Sequence, residues 1–131
     1  MKKPVSIVTG AAKGIGRAIA LRLKKDGFFV VIADTDLEEG AILEKELGKA
    51  SGRFVSCNIG LETEIRQLFN QTIKIADRIE VVVNNAGILR DKMIWDMSVS
   101  DYDEVMGVNL RGTWMMCRES ARVMKHQGYG R

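Results

Sequence analysis

A short apolar run leads directly into a glycine-rich turn near the start of the chain. The run is Val5-Ser6-Ile7-Val8, the turn is Thr9-Gly10-Ala11-Ala12-Lys13-Gly14-Ile15-Gly16, and a helical pattern follows with Ile15, Ile19 and Leu23 on one face. Glycines in such a turn let backbone N–H groups approach an anion, and the start of the following helix adds a partial positive charge. A strand that turns through glycines into a helix therefore predicts a phosphate-binding site.

Strand and helix patterns alternate along the rest of the chain. The predicted strands are short and rich in valine and isoleucine, as in sheets covered by helices on both faces; they are Val5–Thr9, Phe29–Ala33, Phe54–Cys57 and Ile79–Asn84. The predicted helices are Gly14–Asp26, Leu37–Gly48, Leu61–Ala76, Val99–Met106 and Asn109–Lys125. This alternation predicts an α/β fold, a Rossmann-type doubly wound parallel sheet with strand order 3-2-1-4.

Apolar stripes and boundary residues support the predicted helices. One stripe is Leu61, Ile65, Leu68, Thr72 and Ala76, and another is Leu110, Trp114, Cys117, Ala121 and Met124. Both are expected to face the core. Helix starts are expected at the Asp36/Glu39 and Ser98/Asp101 pairs, and helix ends at Gly27 and Gly48.

Length and charge limit the classes of protein to consider. A chain of 131 residues suffices for one domain, so we expect a dinucleotide-binding domain over residues 1–131 and no second domain. The net charge of +3 is scattered, so no nucleic-acid partner is expected, and the basic side of the last helix (Arg111, Arg118, Arg122 and Lys125) is interpreted as a solvated face. No segment resembles a membrane span or a signal peptide, which predicts a cytoplasmic protein without a membrane partner. Cys57 and Cys117 are expected to be buried, reduced thiols.

Asp34 and Lys13 bear on the cofactor. Asp34 closes the second predicted strand, where a carboxylate can accept hydrogen bonds from both hydroxyls of an adenosine ribose and repel a 2′-phosphate. Lys13 acts in the opposite sense, because a cation in the glycine turn can pair with that phosphate. The balance predicts NAD rather than NADP, and no metal ion is expected. Asp34 could instead cap the next helix, although Asp36 is better placed for that.

The third and fourth predicted strands end in asparagines. Asn58 could hydrogen-bond an adenine edge and Ile59 could cover its face, but Asn58 could equally be a simple turn residue. The fourth strand ends in Asn84-Asn85-Ala86-Gly87, where small residues allow a ligand to approach the backbone closely.

Taken together, these elements resemble the short-chain dehydrogenase/reductase family. Thr9–Gly16 matches its T-G-x-x-x-G-x-G turn, Asn84–Gly87 matches its N-N-A-G motif, and Asn109 matches the asparagine that opens the helix after strand four. Within the family, Gly87–Met93 is similar to 3-oxoacyl-thioester reductases and 3-hydroxyacyl dehydrogenases. The resemblance implies the N-terminal half of an NAD(P)-dependent oxidoreductase that moves hydride between a nicotinamide and a carbonyl or alcohol.

The resemblance also implies residue roles. Gly10, Lys13, Gly14, Ile15 and Gly16 would surround the pyrophosphate and adenosine. Asn58 and Ile59 would contact adenine, although the family commonly has aspartate at the first position. Asn85, Ala86 and Gly87 would line the nicotinamide-side ribose, and Asn84 would brace the sheet. Asn109 would take part in catalysis by helping to hold a proton-relay water.

The family's catalytic serine and Tyr-x-x-x-Lys pair are absent from these 131 residues. Met106 stands four residues after Tyr102, and Tyr129 lies too close to Arg131 for a lysine to follow at that spacing. We therefore expect no turnover from this chain alone, an open edge at strand four, and bare apolar surface at Trp114, Met115 and Met116.

Two further expectations concern partners. The substrate of the whole enzyme is expected to be a small carbonyl compound or acyl thioester, and a homo-oligomer is expected through the Asn109–Lys125 helix. The alternative is a non-catalytic fragment that binds adenine nucleotides or another chain, or that serves a purely structural role.

Overall fold

The computed structural model describes residues 3–131, so Met1 and Lys2 of the predicted domain lie outside the described residues. Within that range the chain forms a sheet of four strands, which are β1 (Val5–Thr9), β2 (Phe29–Asp34), β3 (Gly52–Ser56) and β4 (Val81–Val83). All pairings are parallel and the order is β3-β2-β1-β4. The predicted topology is confirmed.

Helices follow each strand. They are α1 (Gly14–Lys25), α2 (Leu37–Leu47), α3 (Glu62–Ala76), α4 (Val99–Val105) and α5 (Thr113–Gln127). The predicted caps form: Asp36 accepts from the Glu39 amide, and Ser98 and Asp101 form a reciprocal capping box. Gly27 and Gly48 follow α1 and α2 with positive φ angles of 91° and 80°.

Helix α4 does not end before α5 begins, contrary to the prediction of two separate helices. Residues Met106–Gly112 form a π-helical segment that joins them, and Asn109 lies inside it. Such segments are rare and often occur at functional sites.

The sheet is covered on both faces. Ile7, Val31 and Val55 pack on one side with Ile65, Leu68, Phe69 and Met116 of α3 and α5. Val8, Val30 and Ile32 pack on the other with Ala20, Leu43 and Leu47 of α1 and α2. Because successive strand residues point to opposite faces, near-continuous apolar strands are what this burial requires.

The predicted core face of the Asn109–Lys125 helix is wrong except at Met124, which packs against the core. Leu110, Trp114, Cys117 and Ala121 are exposed, whereas Met115, Met116, Glu119 and Ser120 are buried. The expectation of bare surface therefore holds for Trp114, which is 56% exposed, and fails for the two methionines. Apolar residues occur on all sides of this helix near Trp114, so periodicity alone did not single out the buried side. The prediction of a buried thiol is confirmed for Cys57 and wrong for Cys117.

Strand β4 is shorter than predicted and is the last strand of the sheet. The backbone N–H and C=O of Ile79 bond to the Gln127 side chain, at 2.9 and 2.8 Å, instead of continuing the ladder. Its outer edge is not wholly open, because Arg131 bonds to the Glu80 carbonyl and the Val82 amide in the pattern of a parallel neighbour. None of the helices in residues 3–131 is long and apolar enough to cross a membrane.

Candidate functional site

The glycine turn leaves the start of α1 open. Gly10 and Gly14 have φ angles of 62° and 56°, in the left-handed region that other residues rarely adopt, and nothing lies within 4 Å of where a Gly14 side chain would begin. Within residues 3–131, the N–H groups of Gly14, Ile15 and Gly16 have no hydrogen-bond partner. This cradle of free donors at a helix N-terminus fits a phosphate group.

Asn85 fixes the turn against the end of β4. Its side-chain amide donates to the carbonyls of Thr9 and Gly10, at 3.0 Å each. The Thr9 hydroxyl accepts from the N–H groups of Asn85 and Ala86, at 3.1 and 3.0 Å. Gly16 makes room for this amide, since a Cβ there would lie 2.5 Å from Asn85 Nδ2. The asparagine that braces the sheet is therefore Asn85. Asn84, which was expected to do so, is exposed, and its side-chain amide donates to Cys117 Sγ at 3.4 Å.

Asp34 connects the end of β2 to the same turn. Its Oδ2 accepts from the Ala12 amide at 2.9 Å and its Oδ1 from the Asp36 amide at 3.0 Å. Each oxygen keeps acceptor capacity, so the carboxylate is held in place and can still accept from a ligand hydroxyl.

Lys13 and Asp36 form an ion pair beside Asp34. Lys13 Nζ lies 2.7 Å from Asp36 Oδ2, while Asp36 Oδ1 caps α2. The hydrogen bond with Lys13 lowers the pKa of Asp36 below its ordinary value, and the same bond raises the pKa of Lys13. The sequence indicated Asp36 only as a helix cap, so its place at the site was missed.

Asn58 and Ile59 follow β3. Asn58 Oδ1 accepts from the Gly60 backbone amide at 2.9 Å, which is the turn role left open by the sequence, and the Asn58 backbone N–H donates to Glu64 Oε2. Ile59 is buried against Gly112 of the π-helical segment. Its side chain thus packs into the core, and part of it borders the cleft.

Asn109 binds the backbone of Ile88, just beyond the N-N-A-G motif. Its Oδ1 accepts from the Ile88 amide at 2.8 Å and its Nδ2 donates to the Ile88 carbonyl at 2.9 Å. Gly87 packs beside it, because a Cβ there would lie 3.3 Å from Asn109 Oδ1. Asn109 therefore holds the segment after β4 against the helix.

One cleft of about 630 Å³ brings these elements together. Seven of the predicted site residues line it: Gly10, Lys13, Asp34, Asn58, Ile59, Ala86 and Gly87. The other five do not line it: Gly14 and Ile15 lie exposed at the start of α1, Gly16 and Asn85 form the support behind the turn, and Asn109 lies behind Ile88.

Several lining residues were not predicted. They are Ala12, Thr35, Asp36, Cys57, Ile88, Arg90, Glu104 and Val108. Arg90, in the segment after β4, and Glu104, in α4, form an ion pair with an N–O distance of 2.6 Å. No local pattern indicates such a pair, because its members meet only through the fold.

A strand, a glycine turn and a helix, with an acidic residue at the end of the next strand, define a dinucleotide-binding site of the Rossmann type. The chain belongs to the short chain dehydrogenase family, whose sequence model matches residues 4–131.

Individual relatives agree with this membership. The chain is 40% identical over 130 residues to a 3-oxoacyl-[acyl-carrier-protein] reductase of Aquifex aeolicus, covering 97% of this chain and 52% of that protein. It is 32% identical over 127 residues to a 3beta-hydroxysteroid dehydrogenase of Mediterraneibacter gnavus, covering 95% and 46%. A 3-ketoacyl-(acyl-carrier-protein) reductase of Brucella melitensis, solved with NADH, has a TM-score of 0.92 and 29% identity, covering 97% and 52%. The chain spans about half the length of these relatives.

Proposed function

We propose that this chain supplies the nucleotide-binding part of an oxidoreductase that moves hydride between NAD and a carbonyl or alcohol. The observation that carries the proposal is the joint presence, at one cleft, of an open glycine turn and the fixed Asp34 carboxylate. When bound, the nicotinamide would donate or accept the hydride. Titration of the chain with NAD by calorimetry tests the binding step, and a folded protein that releases no heat would contradict it.

The proposed residue roles are those that the family resemblance implies. Gly10, Lys13, Gly14, Ile15 and Gly16 would bind the pyrophosphate and adenosine side, with the free N–H groups of the turn as donors. Asn58 and Ile59 would border the adenine. Ala86 and Gly87 would line the nicotinamide-side ribose, and Asn85 would act there chiefly by shaping the turn. Asn109 would place the backbone of Ile88 and help to hold a proton-relay water.

NAD is proposed over NADP because of Asp34. Its carboxylate stands at the end of β2 with both oxygens oriented by backbone amides, where it can accept from ribose hydroxyls and would repel a 2′-phosphate. The expected result is a lower Kd for NAD than for NADP. Asp34→Asn should reduce that preference, and an unchanged ratio of the two Kd values would contradict the assignment.

The proposed substrate is a 3-oxoacyl or 3-hydroxyacyl thioester. Support comes from the Gly87–Met93 sequence and from the 40% identical reductase of A. aeolicus, while the steroid dehydrogenase relative marks the range of substrates among similar proteins. We further propose that these 131 residues alone show no turnover, since neither Tyr102 nor Tyr129 has a lysine at the required spacing. Oxidation of NADH by the purified chain in the presence of acetoacetyl-coenzyme A would refute this.

A second candidate function is adenine-nucleotide binding without catalysis. It is favoured by the convergence of Gly10, Lys13, Asp34 and Asn58 on one cleft. It predicts that ADP-ribose binds nearly as tightly as NAD. Much weaker binding of ADP-ribose would show that the nicotinamide side contributes to affinity.

Homo-oligomerisation through the Asn109–Lys125 helix is proposed from the exposed apolar face of α5. Trp114 and Cys117 lie on that face. Leu110, in the preceding π-helical segment, is also exposed and borders one surface hollow together with Arg111 and Trp114. Trp114→Glu should shift the chain towards monomer in analytical ultracentrifugation. Leu37→Glu, at an exposed apolar residue of α2, is the matched control and should not.

A further inference from the structure

The cleft wall next to Asp34 carries one cation and two carboxylates. Lys13, Asp34 and Asp36 all line it, and they come from the glycine turn, the end of β2 and the start of α2. The ribose end of a nucleotide held by the glycine turn would meet this group of charges, because an acidic residue at the end of β2 addresses the ribose in this type of site.

The cation of this group is already paired. Lys13 Nζ is 2.7 Å from Asp36 Oδ2, although the Lys13 side chain is largely exposed and could extend elsewhere. Asp36 is held in turn, because its Oδ1 accepts from the Glu39 amide at 3.1 Å and its backbone amide donates to Asp34. The acceptor is therefore fixed by the start of α2, and the lysine is the more exposed member of the pair.

Charge arithmetic shows what the pair does to an incoming anion. Asp34 and Asp36 contribute two negative charges and Lys13 one positive charge, so the wall has a net charge of about −1 at neutral pH. A 2′-phosphate would face this net negative wall, and Lys13 could approach the phosphate only by weakening its bond to Asp36. An unphosphorylated ribose needs no cation and is unaffected.

We infer that Asp36 is a specificity-determining residue for the cofactor, acting by holding the Lys13 ammonium away from a 2′-phosphate. Asp34 selects by its own position at the ribose, whereas Asp36 selects by pairing with Lys13, the cation of the glycine turn that could otherwise favour the phosphorylated nucleotide. The inference rests on the proposed nucleotide-binding function, and it assigns to Asp36 a role beyond capping α2.

The test compares ADP-ribose with 2′-phospho-ADP-ribose by calorimetry on wild type and Asp36→Asn. Asparagine keeps a good helix cap and removes the charge, so the fold should be preserved, which circular dichroism and the thermal midpoint check. Asp36→Asn should lower the Kd for 2′-phospho-ADP-ribose about two- to fivefold, the range of an exposed ion pair. The Kd for ADP-ribose should change less than the Kd for its 2′-phosphate. The gain should shrink with added salt.

Two further variants separate this mechanism from others. In a Lys13→Met background, Asp36→Asn should no longer improve binding of the 2′-phosphate, because there is no lysine to release. A gain that persists in that background would mean direct repulsion by Asp36 and would overturn the inference. Asp26→Asn removes another exposed carboxylate, paired with Arg22 on α1, and should change neither Kd.

The proposal and the underlying function fail in different ways. If wild type binds ADP-ribose but Asp36→Asn leaves the ratio of the two Kd values unchanged, Asp36 is only a helix cap and this inference is wrong. If folded wild type binds neither compound, the proposed nucleotide-binding function is wrong and the inference with it.

Discussion

The glycine turn and the segment after β4 border the same cleft but are stabilised in different ways. Around the turn, Thr9, Asp34 and Asn85 each bond to backbone groups of neighbouring strands and loops. In residues 88–98, Leu89, Ile94 and Trp95 are 74%, 77% and 73% exposed, and that segment has no helix or strand. Apolar side chains are exposed on α5 as well, at Trp114, Cys117 and Ala121, and so is Leu110 of the preceding π-helical segment.

The difference teaches how the site is organised. The adenosine side is held by hydrogen bonds between residues of the glycine turn, the end of β2 and the end of β4. The other side holds its backbone through Asn109 and through the Lys92–Asp101 ion pair, while its apolar side chains have no cover within the described residues. We expect changes near the turn to alter stability strongly and changes on the exposed side to alter it weakly.

The two cysteines lie one in each region, and the largest effect we expect is the difference between their alkylation rates. Cys57 lines the cleft but is only 3% exposed, and burial raises the pKa of its thiol from an ordinary 9.0 to about 12. Cys117 lies on the exposed face of α5. Because the thiolate is the reactive form, alkylation of native protein, diluted until it is monomeric, should modify Cys117 at least about a hundredfold faster than Cys57.

A time course of iodoacetamide labelling, read by peptide mass spectrometry, measures this ratio. Cys117→Ser should leave only the slow site, and labelling in urea should bring both cysteines to similar rates. Similar rates in the native protein would contradict the proposed contrast between the two regions.

Gly16 gives the next largest effect. A Cβ at this position would lie 2.9 Å from Ala11 Cα and would also collide with the Gly10 carbonyl and the Asn85 amide. Gly16→Ala should lower the free energy of unfolding by about 2–3 kcal/mol, as expected for overpacking against backbone. Urea denaturation measures the change.

Gly107→Ala is the matched control for the exposed side. Gly107 lies in the π-helical segment, where a Cβ would make only an ordinary 3.5 Å contact with the flexible end of Arg111. Gly107→Ala should leave the free energy of unfolding unchanged or raise it by up to about 1 kcal/mol, because alanine has a higher helix propensity than glycine. An equal loss of stability at both positions would show that the turn is not specially constrained.

The neighbouring asparagines allow a finer comparison. Asn85→Ala removes two hydrogen bonds to the carbonyls of Thr9 and Gly10 and should cost about 2 kcal/mol. Asn84→Ala, at an exposed side chain, should cost less than about 0.5 kcal/mol. If chemical denaturation gave the reverse order, the assignment of Asn85 as the brace would be wrong.

The smallest effect is expected at Asp101, whose contribution to the free energy of unfolding depends on pH. The Lys92 ammonium and the Ser98 hydrogen bonds hold the pKa of this carboxyl well below its ordinary 3.8. Because the folded-state pKa is lowered, the stabilisation is fully present above about pH 4 and is lost as the pH falls through the folded value. Asp101→Asn should therefore be less stable than wild type at neutral pH, and the difference should shrink as the pH falls below about 4.

Urea midpoints of wild type and Asp101→Asn across this range check the sign. Asp103→Asn, at an exposed residue of the same helix, should show a smaller difference at every pH. A difference between wild type and Asp101→Asn that grows towards acid would mean that the carboxylate destabilises the fold.

Sequence patterns predicted the sheet and the turn because their causes are local. Short valine- and isoleucine-rich strands require two covered faces, and Gly10 and Gly14 adopt φ angles that favour glycine. Such patterns could not predict whether Asn84 or Asn85 supports the glycine turn. Adjacent residues of a strand point to opposite sides, so the register of β4 against β1 decides which amide reaches the Thr9 carbonyl.

The prediction of which face of α5 is buried was wrong for a related reason. Trp114, Met115, Met116 and Cys117 put apolar groups around the whole helix, and the π-helical segment changes the rotation with which α5 meets α3. Glu119 is buried there because Arg118 and Arg122 pair with it, an arrangement that a hydrophobic stripe does not reveal.

By itself the sequence determined the strand–turn–helix unit and the positions of Asp34 and the N-N-A-G motif, because these depend on residues close together in the chain. It also predicted the strand order, although β1 and β4 are about 75 residues apart, because alternating strands and helices with short connections allow few topologies. Only the tertiary structure decided that Asp36 holds Lys13, that Arg90 meets Glu104 and that Asn85 rather than Asn84 supports the turn. Each of those contacts joins residues far apart in the chain, and their geometry exists only after the helices have packed on the sheet.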